Sequence, residues 1–148
     1  PRIIEVGIHP DGSLRDRHLW QLAPLAPHVL ALRMDAELDF ASATALERRV
    51  ADELAARPGL RALCLFALPI NRIDVTGVEA FMRLRALMQS RGGALHVAGL
   101  KLPVQRVLER AQVLHAGPDL HTYRTDAEAL ASLEQPPEDS AYRPLAGR

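Results

Sequence analysis

Residues 60–81, LRALCLFALPINRIDVTGVEAF, contain the change of period that decides the fold. From Leu60 to Leu68 the chain is apolar apart from Arg61, a run of strand length suited to burial on both faces of a mostly parallel sheet. From Gly77 the apolar positions recur at helical spacing. Phe81, Leu84 and Met88 fall on one line flanked by Ala80 and Leu87, with Glu79, Arg83 and Ser90 opposite. A buried central strand that runs into an amphipathic helix is the core of an alternating α/β unit.

Working outward, RIIEVGI (residues 2–8) and HVLALRM (28–34) are short, apolar and β-prone, with PDG and LAPLAP punctuating the connection between them. From Ala43, the positions Ala43, Leu46, Val50 and Leu54 make a helical stripe that stops at Pro58-Gly59. Gly92-Gly93 ends the helix after Gly77, and ALHVAGL follows as a strand. LPVQRVLERAQV is a helix with Pro103 in its first turn and Val104, Val107, Leu108 and Ala111 as its stripe. LHTYR is a last strand and DAEALASL a last helix beginning at Thr125. The expectation is an α/β domain over residues 1–134, a mixed, mostly parallel sheet of about five strands with about four helices packed on it. Residues 1–27 form its opening strand and linker and 28–134 its core; the polar, proline-bearing residues 135–148 are expected to be a disordered tail.

Composition limits the chemistry. At 148 residues and 48% hydrophobic, the chain suffices for one domain with a real core. Lys plus Arg number 18 and so do Asp plus Glu, which gives no basic field for nucleic acid. Cys64, the only cysteine, sits in an apolar strand, so it reads as a buried hydrophobe in a reducing, cytoplasmic setting. No apolar run reaches the roughly eighteen residues of a membrane helix, and the chain opens at Pro1 without a signal pattern, as a fragment of something longer would. The six histidines share no ligand-like spacing, no glycine-rich phosphate loop precedes a helix, and no nucleophile motif surrounds a serine. The expectation is a protein without catalytic residues, metal or cofactor.

The polar junction residues 71–77, NRIDVTG, therefore carry what chemistry there is. Thr76 stands three residues before Glu79, the capping-box spacing that recurs at Thr44 with Glu47 and Thr125 with Glu128; caps would account for three of the four threonines. The segment also leaves the carboxyl end of the central strand, where α/β sheets place their sites. Gly77 admits a close backbone approach and frees helix N–H groups that favour an anion, while Asp74 would repel a phosphate carried on Thr76. Asn71, Arg72, Asp74 and Gly77 are thus candidates for binding an anion or a partner. On the helix wheel Val78 and Met82 flank the buried line beside Arg85 and Gln89, so Val78, Met82 and Arg85 form a candidate docking strip.

IDVTG resembles the loop of STAS domains, the fold shared by sulfate transporters and anti-sigma factor antagonists. The order of elements from about Ile3 to Leu133 and the segment AGLKLPVQRVLER strengthen that resemblance. It implies the STAS fold and a non-catalytic regulatory or interaction domain. VAGLKLPVQRVLERAQV and RMDAELDF are most similar to the C-terminal cytoplasmic domain of bacterial SulP-type sulfate permeases. That branch implies a place on the cytoplasmic face of the cell membrane. The partner would be the transmembrane core of the same transporter, with homodimerisation through the parent protein, and some members bind another cytosolic protein or, weakly, nucleotides. The alternative branch, to which AELDFASATALE is similar, is a stand-alone anti-sigma factor antagonist switched by phosphorylation from a partner kinase, and the phosphorylated position matches Thr76. Val75 replaces the first serine of that loop, a departure from the pattern.

Overall fold

The computed structural model describes residues 2–134. The elements run β1 Ile3–Ile8, β2 Leu14–Asp16, β3 Val29–Met34, α1 Phe40–Ala56, β4 Ala62–Phe66, α2 Val75–Ser90, β5 Ala94–Ala98, α3 Leu102–Arg110, β6 Leu120–Tyr123 and α4 Asp126–Leu133. One sheet joins the strands in the order β2-β1-β3-β4-β5-β6. β1 is antiparallel to β2 and to β3, and β3, β4, β5 and β6 are mutually parallel. All five residues of β4 are buried between β3 and β5, as its unbroken apolar run requires. The expected tail, 135–148, lies outside the described residues.

The sheet has six strands where about five were expected. The extra one, β2, is three half-buried residues that exist by pairing with β1, Val6 opposite Asp16 and Ile8 opposite Leu14. The Asp11 carboxylate shapes the turn between them, accepting from the Ser13 amide at 2.9 Å and hydroxyl at 2.6 Å. A second tie is Glu5, buried in β1, whose carboxylate meets Arg57 Nη2 at the end of α1 and His18 Nε2 beyond β2, each at 3.0 Å. A buried carboxylate without such partners would be strongly destabilising.

α1, α2 and α3 cover one face of the sheet, over a core that includes Leu32, Leu46, Val50, Leu63, Leu65, Phe81, Leu84, Leu95, Val104 and Leu108. On the other face α4 packs Ala129 and Leu133 with Val29, Ala31, Cys64, Phe66 and Ala98. α1 begins at Phe40, not Ala43, because Asp39 caps it: the carboxylate accepts from the Ser42 amide at 3.1 Å, and Ser42 Oγ accepts from the Asp39 amide at 2.9 Å. The Ser42 amide, and after it the Ser42 hydroxyl at 3.0 Å from Oδ1, hold the Asp39 carboxyl below its usual range. Thr44 is not a cap; its hydroxyl donates to the Phe40 carbonyl within the helix. In α3, Val104 and Leu108 are buried and Val107 packs against the core, but Ala111 is exposed because the helix has ended at Arg110.

Candidate interaction site

Three helices follow three parallel strands, so the first turns of α1, α2 and α3 all open on the carboxyl edge of the sheet. Asp74 caps α2, its Oδ1 accepting from the Gly77 N–H at 2.8 Å. The expectation that Thr76 is the cap is therefore corrected. The helix begins one residue after Asp74, which leaves Thr76 in the first turn with its hydroxyl outside the cap. Thr125 does cap α4, accepting from the Glu128 N–H at 3.2 Å, but Glu128 reaches back to the Arg124 N–H and not to Thr125 itself.

The loop before α2 is stitched to the segment before α1. The Leu38 amide donates to the Arg72 carbonyl at 2.9 Å, the Asp74 amide reaches the Leu38 carbonyl at 3.3 Å, and Leu38 forms a parallel bridge with Ile73. Gly77 completes the seam, since a Cβ there would land on the Leu38 carbonyl. Asn71 Oδ1 accepts from Lys101 Nζ, which ties the loop to the start of α3. The Arg72 guanidinium is largely exposed and stands 3.9 Å from Glu37. A cleft of about 130 Å³ between the two segments is lined by Glu37, Leu38, Asp39, Arg72, Ile73 and Asp74. Three carboxylates against one guanidinium make it a poor seat for an anion, and Asp74 already occupies the positive end of α2.

Exposed apolar residues stand on the same edge as the loop. Val75 is 74% exposed, Phe40 73%, Leu68 56% and Leu102 54%. Val75, Phe40 and Leu102 are the first residues of α2, α1 and α3, and Leu68 follows β4. Thr76 and the polar Asn71, Arg72 and Asp74 are thus set among four protruding hydrophobic side chains on one edge. Sequence reasoning missed Phe40, Leu68, Leu102 and Lys101 as members of this edge. Their only signal was position, each lying just beyond a strand or at a helix start.

The expected strip along α2 is broken up. Met82 is exposed, but Val78 is buried in the core, on the flank where Arg85 reaches Asp119 and the Val113 carbonyl. Arg85 is spoken for: its Nε and Nη2 donate to the Asp119 carboxylate at 2.8 and 3.0 Å, which holds the guanidinium charged and joins α2 to the start of β6. Among the described residues, no group of three or more His, Cys, Asp or Glu converges in a way that could hold a metal ion, and no helix is long and apolar enough to cross a membrane.

The STAS domain family model matches residues 22–129. No curated protein matches the chain in sequence. Among solved structures, the murine Solute Carrier 26 family member A9 anion transporter in its inward-facing state is similar at 14% identity and a TM-score of 0.70, over 89% of this chain and 22% of that one. A sulfate transporter family protein from Wolinella succinogenes is similar at 20% identity and a TM-score of 0.64, over 80% of this chain and 94% of that one. The anti-sigma factor antagonist SpoIIAA of Bacillus, in its unphosphorylated form, is similar at 14% identity and a TM-score of 0.62, over 75% of this chain and 92% of that one. The likeness is one of fold, and it extends to transporters and antagonists alike. This chain spans about a fifth of the murine transporter's length.

Proposed function

The chain belongs to the STAS domain family, and on that premise we propose that it is a non-catalytic interaction domain on the cytoplasmic side of a SulP-type anion transporter. The observation that carries this reading is the apolar carboxyl edge, where Phe40, Leu68, Val75 and Leu102 stand exposed around the Asn71 to Gly77 loop. A surface of that kind suits docking to protein, with the polar loop at its centre giving orientation. The transmembrane core of the same transporter is the partner it would meet, and its hold on that core would regulate transport or assembly. The position of Val75 supports this branch: an exposed valine stands where a phospho-switched loop carries a serine. Asp74 takes the Gly77 N–H and sets a carboxylate at the positive end of α2, which counts against a nucleotide phosphate there.

Thr76 favours the second reading, a soluble antagonist switched by a kinase. Its hydroxyl lies outside the cap, half-buried at the edge and accessible to modification. Fractionation of native cells with an antibody against the domain separates the two. An integral membrane band well above 16.3 kDa supports the transporter domain. A soluble band at that mass overturns it, and mass analysis of Thr76 after incubation with a cognate kinase and ATP then tests the antagonist.

A further inference from the structure

The face of the sheet beneath α4 carries a cluster that the carboxyl edge does not use. In cross-strand register, Cys64 of β4, His96 of β5 and His121 of β6 lie side by side. The His96 ring stacks on His121 with centroids 4.9 Å apart and on Tyr123 at 5.9 Å. His28, buried just before β3, is near enough to act on His96 electrostatically. The Tyr123 hydroxyl lies 2.9 Å from His96 Nδ1 and donates to Ser132 Oγ of α4, also at 2.9 Å. A phenol has one proton, so with that proton on Ser132 its oxygen accepts from His96, whose neutral ring then carries its hydrogen on Nδ1. A hydrogen-bonded chain thus runs from β5 through β6 into the helix.

We propose that His96, together with His28, His121, Tyr123 and Ser132, forms an acid-sensitive latch that holds α4 closed over the sheet. The groups around His96 offer a new proton no counter-charge. Cys64 on β4 is a thiol whose ionisation burial opposes, and His28 and His121 would add like charge. Asp126 at the start of α4 is set against Arg33, burial holding its carboxyl above the ordinary range, and Glu128 accepts from the Arg124 N–H. Burial is the main reason the His96 imidazole is pushed down from 6.5 to about 4, and the two neighbouring histidines add to it. Opening α4 would return the ring to water. The closed form then binds the proton less tightly than the open form, so its advantage is complete above pH 6.5 and is lost as the pH falls toward 4. With those two values the opening equilibrium rises about tenfold by pH 5.5 and on the order of fiftyfold by pH 4.5.

The chain contains its own reporters. Cys64, the only cysteine, is fully buried on this face in the cluster that includes Ala129 and Leu133 of α4. Trp20, the only tryptophan, lies on the excursion after β2 at the opposite edge of the sheet. The experiment is to label Cys64 with 4,4′-dithiodipyridine, which reacts with thiols in acid, and to divide each rate by that of the urea-unfolded chain at the same pH. The relative rate is expected to rise about tenfold from pH 7 to pH 5.5 while Trp20 emission stays constant. That emission is read in a His9→Gln variant, because the His9 ring stands edge-on to Trp20 at 5.0 Å. His96→Gln should flatten the profile, and His96→Phe serves the same purpose if the glutamine variant does not fold. Ser132→Ala should raise the rate at every pH and keep the acid step. A flat profile in the unsubstituted chain, the same step in the His96 variants, or Trp20 emission that moves together with the labelling would each overturn the latch.

Discussion

Asp74 and Thr76 compete for one task at the start of α2, and the aspartate has it. An ionised carboxylate accepts the Gly77 N–H and also complements the positive end of the helix, two advantages over a hydroxyl. Asp39 outcompetes Thr44 at α1 in the same way, whereas at α4 no acid stands upstream and Thr125 caps. Removing the cap with Asp74→Ala should cost about 1 kcal/mol in urea unfolding, while Thr76→Ala should change stability by less than about 0.5 kcal/mol. The opposite order would return the capping role to Thr76. The spacing of Thr and Glu was visible in the chain, but the same window also holds Asp three residues before Gly77, and both patterns satisfy a capping rule. Which residue turns its oxygen onto the helix depends on where the preceding loop is anchored. Here Leu38 anchors it, a residue more than thirty positions away and invisible to a local pattern.

Along α2 the wheel correctly assigns Ala80, Phe81, Leu84 and Met88 to the buried face. It fails at Val78 for a general reason: a wheel gives direction around one helix and is silent about which flank a neighbouring helix covers. Val78 lies on the flank of Arg85, which reaches Asp119 and the Val113 carbonyl, while α1 holds the opposite flank, where Arg83 makes hydrogen bonds of 2.6 and 3.0 Å to Glu47. Val78→Ala should therefore destabilise the domain by roughly 1–2 kcal/mol, the scale of a few lost buried methyl groups. Met82→Asp, at a position 51% exposed, should leave the urea midpoint nearly unchanged. Equal losses at both sites would mean that this flank of α2 is packed along its length, Met82 included. α2 could be read from the chain because sixteen residues repeat one helical period, and β4 because its five residues sit in an unbroken apolar run. β2 could not, since three residues hold no period and its pairing with β1 is decided by the turn at Asp11.

At the scale of the molecule, alternation of strands and helices was enough to place β4 centrally and the helices on the sheet, because parallel crossovers leave few arrangements. The apolar edge was not readable in this way. Phe40, Leu68, Val75 and Leu102 are spread over three crossovers, and only the parallel order of β3, β4 and β5 gathers them. That same order leaves the two faces unequal, with α1, α2 and α3 on one and the eight-residue α4 on the other. An isolated helix of that length is not stable in water, so α4 depends on burying Ala129 and Leu133 and on the Tyr123 bond to Ser132. Native-state hydrogen exchange should accordingly show two classes of amide. Those of β3, β4 and β5 should exchange only by global unfolding, and those near the end of α4 by a smaller local opening. Leu133→Ala should speed exchange in α4 by at least tenfold while the slowest amides of β4 change by a similar or smaller factor, since a truncated leucine costs about 2–5 kcal/mol whichever opening exposes it. If α4 instead exchanges at the rate of the central strands, the two faces unfold as one unit and the inequality of their cover has no dynamic consequence.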